Sequence, residues 1–284
     1  MENGMNLLFL LCGIITVGFV LCICVYLILS GVPAMGKIGI ADFFFGKIWM
    51  PTAQTTAPSY GILPFILTSI SGTAGAILIG VPIGLLTAVF LAKVASKRVA
   101  KGIRAAVQLL AGIPSVVYGL VGMLILVPAI RKLFHVPDGA SLLAAIIVLS
   151  VMVLPSIINV SMTSLEAVPK EYEEGSLALG ATQIETYMRV SVPAAKSGIA
   201  TAIVLGVGRA LGEAMAVMMV SGNASNMPSL FQSVRFLTTA VASEMAYSSG
   251  LHRQALFSIA LVLFLFIMLI NAGLNLILKH KKVG

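Results

Sequence analysis

Long stretches of this chain carry no charge at all. No charged residue lies between Glu2 and Lys37, Lys47 and Lys93, Arg104 and Arg131, Asp138 and Glu166, or Arg253 and Lys279. Each gap is long enough for the roughly 20 apolar residues that one helical membrane crossing requires. A sixth apolar stretch, 198–220, is interrupted by Arg209 and Glu213. The composition agrees: 59% of the 284 residues are hydrophobic and 10% are charged. A soluble domain carries roughly 25% charged residues and cannot hide so much apolar surface without a polar coat. A soluble enzyme, a disordered chain and a disulfide scaffold are excluded, and an integral membrane protein is expected.

The three cysteines, Cys12, Cys22 and Cys24, all lie in the first apolar stretch. An odd count within one helix is no disulfide framework, and no Cys/His spacing reads as a zinc site. The first stretch is read as a retained helix, not a cleaved signal. Its leading Met-Glu-Asn-Gly has no Lys or Arg, and the run exceeds the about 7–15 residues of a signal core.

Six helices are expected, at 6–30, 62–92, 105–130, 140–164, 197–221 and 254–278. Pro64, Pro82, Pro114 and Pro155 fall inside them, which neighbouring membrane helices tolerate. Recurrent small residues such as Gly72, Gly80, Gly84, Gly198 and Gly206 permit close helix contact. Six crossings put both termini on one side. That side holds eleven Lys and Arg: Lys93, Lys97, Arg98, Lys101 and Arg104, then Lys170, Arg189 and Lys196, then Lys279, Lys281 and Lys282. The other side holds Lys37, Lys47, Arg131, Lys132, Arg235 and Arg253. The positive-inside bias then places both termini, and the segment 165–197, in the cytoplasm. The loop 42–60 falls outside. Its Phe43, Phe44, Phe45, Trp49 and Tyr60 suit an interfacial aromatic belt, with an external docking surface as the other reading.

Segment 165–197 has clear helix grammar. Pro169 suits a helix start and Glu171, Glu173 and Glu174 suit its first turns. Gly180 is a stop signal, Thr182 to Glu185 has capping-box spacing, and Pro193 restarts the chain before the fifth span. Physical grammar alone gives a surface loop with two short amphipathic helices.

The same residues carry a resemblance. Glu174-Gly175-Ser176, three residues, Gly180, nine residues, Val190, one residue and Val192-Pro193 resemble the cytoplasmic signature of ABC importer permeases. That signature reads Glu-Ala-Ala, three residues, Gly, nine residues, Ile, one residue, Leu-Pro. Gly175 and Ser176 replace its two alanines, and valines replace Ile and Leu. Further blocks narrow the match: Gly61-Ile-Leu-Pro-Phe65, Leu110-Ala-Gly-Ile-Pro-Ser-Val-Val-Tyr-Gly119, Gly208-Arg-Ala-Leu-Gly-Glu-Ala-Met-Ala-Val217 and Met219-Val-Ser-Gly-Asn223. Together they resemble the phosphate-transport permeases of the PstC type over 61–271. The companion PstA type is close, and Met215-Ala-Val-Met-Met-Val220 favours PstC.

The resemblance implies an all-α integral membrane protein with the type I ABC importer permease fold. Six transmembrane helices are expected, with coupling helices between the fourth and fifth. Residues 1–60 would form an N-terminal helix and external loop, and 61–284 a permease core containing the coupling segment 165–197. It implies a bacterial inner-membrane location and three kinds of partner. These are a second, PstA-like permease, two PstB-like ATPase subunits and an external PstS-like phosphate-binding protein. Membrane lipid surrounds the chain and no nucleic acid is implied. ATP and magnesium belong to the ATPase, and this chain holds no cofactor or metal. Glu174, Gly175, Ser176, Leu179, Gly180, Ala181 and Pro193 are the expected ATPase-coupling residues.

Arg209 and Glu213 stand one turn apart in the fifth span, so both are expected on the same face. A charge at membrane depth is costly and must meet protein or water. The pair reads either as an internal lock or as a pathway element in which Arg209 meets an anion through paired hydrogen bonds. Asn223 is the third expected pathway residue, with Ser221 and Thr73 as further donors. Gly31 to Lys37 mimics a nucleotide loop, but Ile38 stands where a hydroxyl is needed. His135, His252 and His280 are scattered, and no catalytic constellation is seen. The competing readings are a PstA-type subunit, a sulfate or molybdate permease and, in another class, a secondary transporter. The absence of an internal repeat argues against the last.

Overall fold

A computed structural model of the chain describes residues 2–52 and 57–280. Lys281 and Lys282, which enter the charge balance, lie outside the described residues. The chain divides into two units, Met1–Leu63 with Ala240–Phe266, and Pro64–Thr239 with Ile267–Gly284.

In the first unit, α1 runs Glu2–Ile38, past the expected end at residue 30 and through Pro33. A short α2, Ile40–Phe45, follows. Strands β1 (Trp49–Met50) and β2 (Ser59–Tyr60) pair antiparallel. The described parts of the loop 42–60 are therefore folded. Phe43, Trp49 and Tyr60 are buried, which removes them from any belt; Phe45 remains exposed. Glu244 gathers this unit: Trp49 Nε1 donates to its Oε2 at 3.0 Å, and His252 Nε2 lies 2.9 Å from the same oxygen. The Ser258 hydroxyl donates to the Gly31 carbonyl at 2.7 Å, and the Tyr26 and Phe257 rings meet edge to face.

The second unit is built on α3 (Leu63–Val89), prolonged by a π turn Phe90–Val94, and the amphipathic α4 (Lys97–Gly112). Then come α5 (Ser115–Val121), a π turn Gly122–Leu126 and α6 (Val127–Phe134), which form one span. The third expected helix, 105–130, is thus not continuous. Ile113 takes an extended ψ of 127° ahead of Pro114, because the proline ring disfavours helical backbone in the residue before it. The Tyr118 hydroxyl bridges the break to the Leu110 carbonyl at 2.7 Å.

Helix α7, Leu142–Glu166, matches expectation within two residues. Ser141 caps it, accepting the Ala144 N–H. Leu149, Met152, Val153 and Ile157 of α7 are all but fully buried against Ala76, Ala210, Val217 and Phe236. A second cluster joins Ile158 and Leu165 to Ala88, Leu91, Val107 and Ile199. Between lipid-solvated helices such contacts stabilise by close packing, which small residues permit. A Cβ on Gly80 would lie 2.7 Å from Val153, and one on Gly198 would collide with the Ser164 hydroxyl.

After α7 come α8 (Lys170–Ala178), α9 (Gln183–Thr186), a π turn Tyr187–Ser191 and α10 (Val192–Ala194). The next helices are α11 (Lys196–Gly212) and α12 (Met215–Val220). The expected fifth span, 197–221, breaks at Glu213, whose ψ is 126°. Two further helices, α13 (Leu237–Glu244) and α14 (Gly250–His280), complete the chain.

Among the described residues five helices are long and apolar enough to cross a membrane. They are Met5–Ile38, Leu63–Val94, Ser115–Phe134, Leu142–Glu166 and Gly250–Gly273. A sixth crossing would have to be a broken one: Gln183–Ala194 meets Lys196–Gly212 at 72°.

Candidate functional site: coupling segment and charged break

The expected coupling segment folds as its grammar dictates. Pro169 caps α8 one position outside the helix, and Glu171 and Glu173 occupy the first turn. Gly180 ends the turn at φ +88°, in the left-handed region where a side chain would be strained. Thr182 and Glu185 form the full capping box. The Glu185 carboxylate accepts both the Thr182 N–H and its hydroxyl, at 3.0 and 2.9 Å. Those bonds, the backbone one first, hold the Glu185 acid below the usual carboxylate range.

The segment has a tied inner side and a bare outer side. Inside, the hydroxyls of Ser176 and Thr186 lie 2.9 Å apart and link α8 to α9. Outside, Leu179 is 90% and Ile184 73% exposed, with Leu177 and Tyr172 also uncovered. Glu174, Gly175 and Pro193 are exposed and Ala181 is half-buried. A Cβ on Gly175 would meet nothing within 4 Å. The chain's own packing therefore has room for the alanine of the importer signature there. Apolar side chains are thus held outward on an ordered, capped turn.

Arg209 lies on α11 and is exposed, while Glu213 has left the helix. Among the described residues the two form no ion pair. The Glu213 carboxylate instead accepts the Ala216 N–H at 3.0 Å, and its backbone carbonyl accepts the Thr238 hydroxyl at 2.8 Å. The internal-lock reading of this pair is not what the chain builds. Asn223 adopts φ +56°. Its Nδ2 donates to the Met218 carbonyl at 2.8 Å. Asn223 Oδ1, Ser221 Oγ and Thr73 Oγ1 are buried polar atoms without a partner among the described residues.

Sequence reasoning passed over three residues here. Arg235 donates from Nε to the Asn223 carbonyl at 2.8 Å and lies 5.8 Å from the Phe65 ring. Lys93 and Glu173 form an ion pair at 2.5 Å. No local pattern marks these contacts, which join residues far apart in the chain. Among the described residues no group of three or more His, Cys, Asp or Glu is placed to hold a metal.

The chain thus combines apolar spans with a capped segment that bears exposed apolar side chains ahead of a broken helix. The chain belongs to the family described as binding-protein-dependent transport system inner membrane component, which matches residues 80–282. It is 40% identical over 269 residues to the probable ABC transporter permease protein YqgH of Bacillus subtilis (strain 168), covering 92% of this chain and 86% of that one. It is 35% identical over 266 residues to the phosphate transport system permease protein PstC of Pasteurella multocida (strain Pm70), covering 85% and 83%. In fold it resembles the MetNI methionine ABC transporter in an inward-facing conformation. That likeness has TM-score 0.64 at 18% identity, over 77% of this chain and 95% of the other. The fold is that of the type I ABC transporter permeases.

Proposed function

We propose that this chain is the PstC-type permease subunit of an ATP-driven inorganic phosphate importer and supplies half of its translocation pathway. The carrying observation is the conjunction of the importer signature with a bare docking face at Leu179 and Ile184. The likeness to phosphate permeases of several bacteria supports phosphate as the cargo. The second half of the pathway is a PstA-like permease. Two PstB-like ATPase subunits hold ATP and magnesium, and a PstS-like protein delivers phosphate from outside. This chain contributes no catalytic group of its own. Both termini and 165–197 face the cytoplasm, in keeping with the Lys and Arg balance.

In this reading Arg209 lines the pathway. An exposed guanidinium at membrane depth faces water or a partner subunit, never lipid alone. Its planar donors fit phosphate oxygens in pairs. Glu213 ends the helix beside it and sets a negative charge nearby, which keeps the anion from binding too tightly to leave. Asn223, whose carbonyl accepts the Arg235 Nε–H, is the third pathway residue.

The test is reconstitution of the four components in proteoliposomes, with labelled phosphate outside and ATP on the ATPase side. Wild type is expected to accumulate phosphate only with ATP and binding protein, and sulfate to compete weakly. Arg209→Ala is expected to lose uptake while binding-protein-stimulated ATP hydrolysis persists. Uptake without ATP would make the chain a secondary transporter, and a preference for sulfate would overturn the cargo. Unchanged uptake in an intact Arg209→Ala complex would remove Arg209 from the pathway.

A further inference from the structure

We propose that Lys93, Glu173 and Ser191 form the joint through which movement of the coupling segment reaches the second membrane span. The proposal rests on the reading of 165–197 as the ATPase-coupling segment.

Helix α8 carries the importer signature yet has no buried residue. Apolar packing therefore does little to fix it to the bundle. Beside the Ser176–Thr186 hydroxyl link to α9, one carboxylate oxygen ties it to the end of α3. Glu173 Oε1 pairs with Lys93 Nζ at 2.5 Å and accepts the Ser191 hydroxyl at 2.8 Å. Lys93 lies in the π turn that prolongs α3, and Ser191 closes the π turn that follows α9. Three elements meet at one atom.

The surroundings make the joint stiff. The Lys93 and Glu173 side chains are only 11% and 18% exposed, and Ser191 is fully buried. A screened surface pair would slide at little cost, whereas a desolvated pair resists separation because each charge would be left without its partner. The Arg104–Glu166 pair is a useful contrast. Its side chains are 37% and 41% exposed, and it ties α4 to the end of α7 without touching α8. Displacement of α8 by an ATPase is thus passed to the end of α3 instead of being absorbed at the surface. Lys93 and Glu173 act as positioning residues and touch neither phosphate nor ATP.

The experiment measures phosphate transported per ATP hydrolysed in the reconstituted importer. For Lys93→Met the ratio is expected to fall about tenfold, within what severing one link of a coupling network does. ATPase assembly and ATP hydrolysis are expected to persist. A merely structural role would instead lower complex yield and both activities together, with the ratio unchanged. The exchanged pair K93E/E173K is expected to restore most of the ratio, and Lys93→Arg to retain it. Ser191→Ala, which removes only the second bond to Glu173, is expected to lower it less. If Lys93→Met does not assemble, the exchanged pair and Ser191→Ala decide. A wild-type ratio in assembled Ser191→Ala and Lys93→Met, or an assembled but uncoupled exchanged pair, overturns the joint. Cross-linking of Leu179→Cys to the ATPase separates the two levels. If an otherwise wild-type chain gives no cross-link, the coupling reading itself fails. A cross-link with an unchanged ratio rejects the joint alone.

Discussion

The carboxylate of Glu213 accepts the Ala216 N–H at 3.0 Å, while Arg209, one turn earlier on α11, stands outside its reach as an ion-pair partner. Glu213 thus serves as a cap for α12 at the break in the fifth apolar stretch. Replacing such a cap by Ala costs about 1 kcal/mol. Glu213→Ala is expected to lower the thermal midpoint of the purified chain, and Glu213→Gln to lower it less. Arg209→Ala is expected to leave the midpoint close to wild type. Thermal unfolding in detergent checks all three, and equal losses for Arg209→Ala and Glu213→Ala would contradict the capping role.

Gly198 and Gly208 lie on the same helix, yet they are expected to respond oppositely to alanine. At Gly198 a methyl group collides with Ser164 of α7, whereas at Gly208 nothing lies within 4 Å. Overpacking typically costs about 1–3 kcal/mol. Gly198→Ala is expected to be destabilising and to be relieved by Ser164→Gly. Gly208→Ala is expected to be neutral or mildly stabilising in the isolated chain. A double-mutant cycle on thermal midpoints reads the coupling between 198 and 164.

The coupling segment is expected to loosen in acid. Hydrogen bonds from Thr182, the backbone one first, lower the pKa of Glu185 in the folded chain. A carboxylate shifted down on folding stabilises the fold above its unfolded value, and that stabilisation is lost as pH falls through the folded value. Protease sensitivity within 170–194 is expected to rise below the ordinary carboxylate range. Thr182→Ala is expected to raise sensitivity at neutral pH and flatten its dependence on acid.

Leu179 offers a clean separation of folding from assembly. It is 90% exposed, and exposed positions away from caps and cores usually change stability by less than about 0.5 kcal/mol. Leu179→Asp is therefore expected to leave the thermal midpoint alone and to abolish co-purification with the ATPase. Retained co-purification would place the docking face elsewhere.

The bundle was legible to different depths in different places. The span at α7 is read within two residues, because a serine cap and an unbroken apolar run fix it locally. The turn at Gly180 and the box at Thr182 are equally local, since their chemistry acts over three or four residues. Apolar content is blind to direction, so by itself it predicts continuous third and fifth helices. The chain breaks ahead of Pro114, whose ring disfavours helical backbone at Ile113, and at Glu213, whose carboxylate takes the Ala216 N–H. The aromatic residues 43–60 were read by type alone, but pairing of Trp49–Met50 with Ser59–Tyr60 helps bury Trp49 and Tyr60.

The order of residues alone sets the solvent and the punctuation. Long uncharged apolar runs demand lipid, and in lipid each backbone group must be satisfied within its own helix. Caps, glycines and prolines act on their immediate neighbours, so the coupling turn follows from its own residues. Which charges meet depends on how the helices pack. Glu173 had Lys170 close by in sequence but pairs with Lys93, eighty residues away. Arg209 had Glu213 one turn away and does not pair with it. Ion-pair choice depends on desolvation and on geometry set by packed helices, and neither is a property of local spacing.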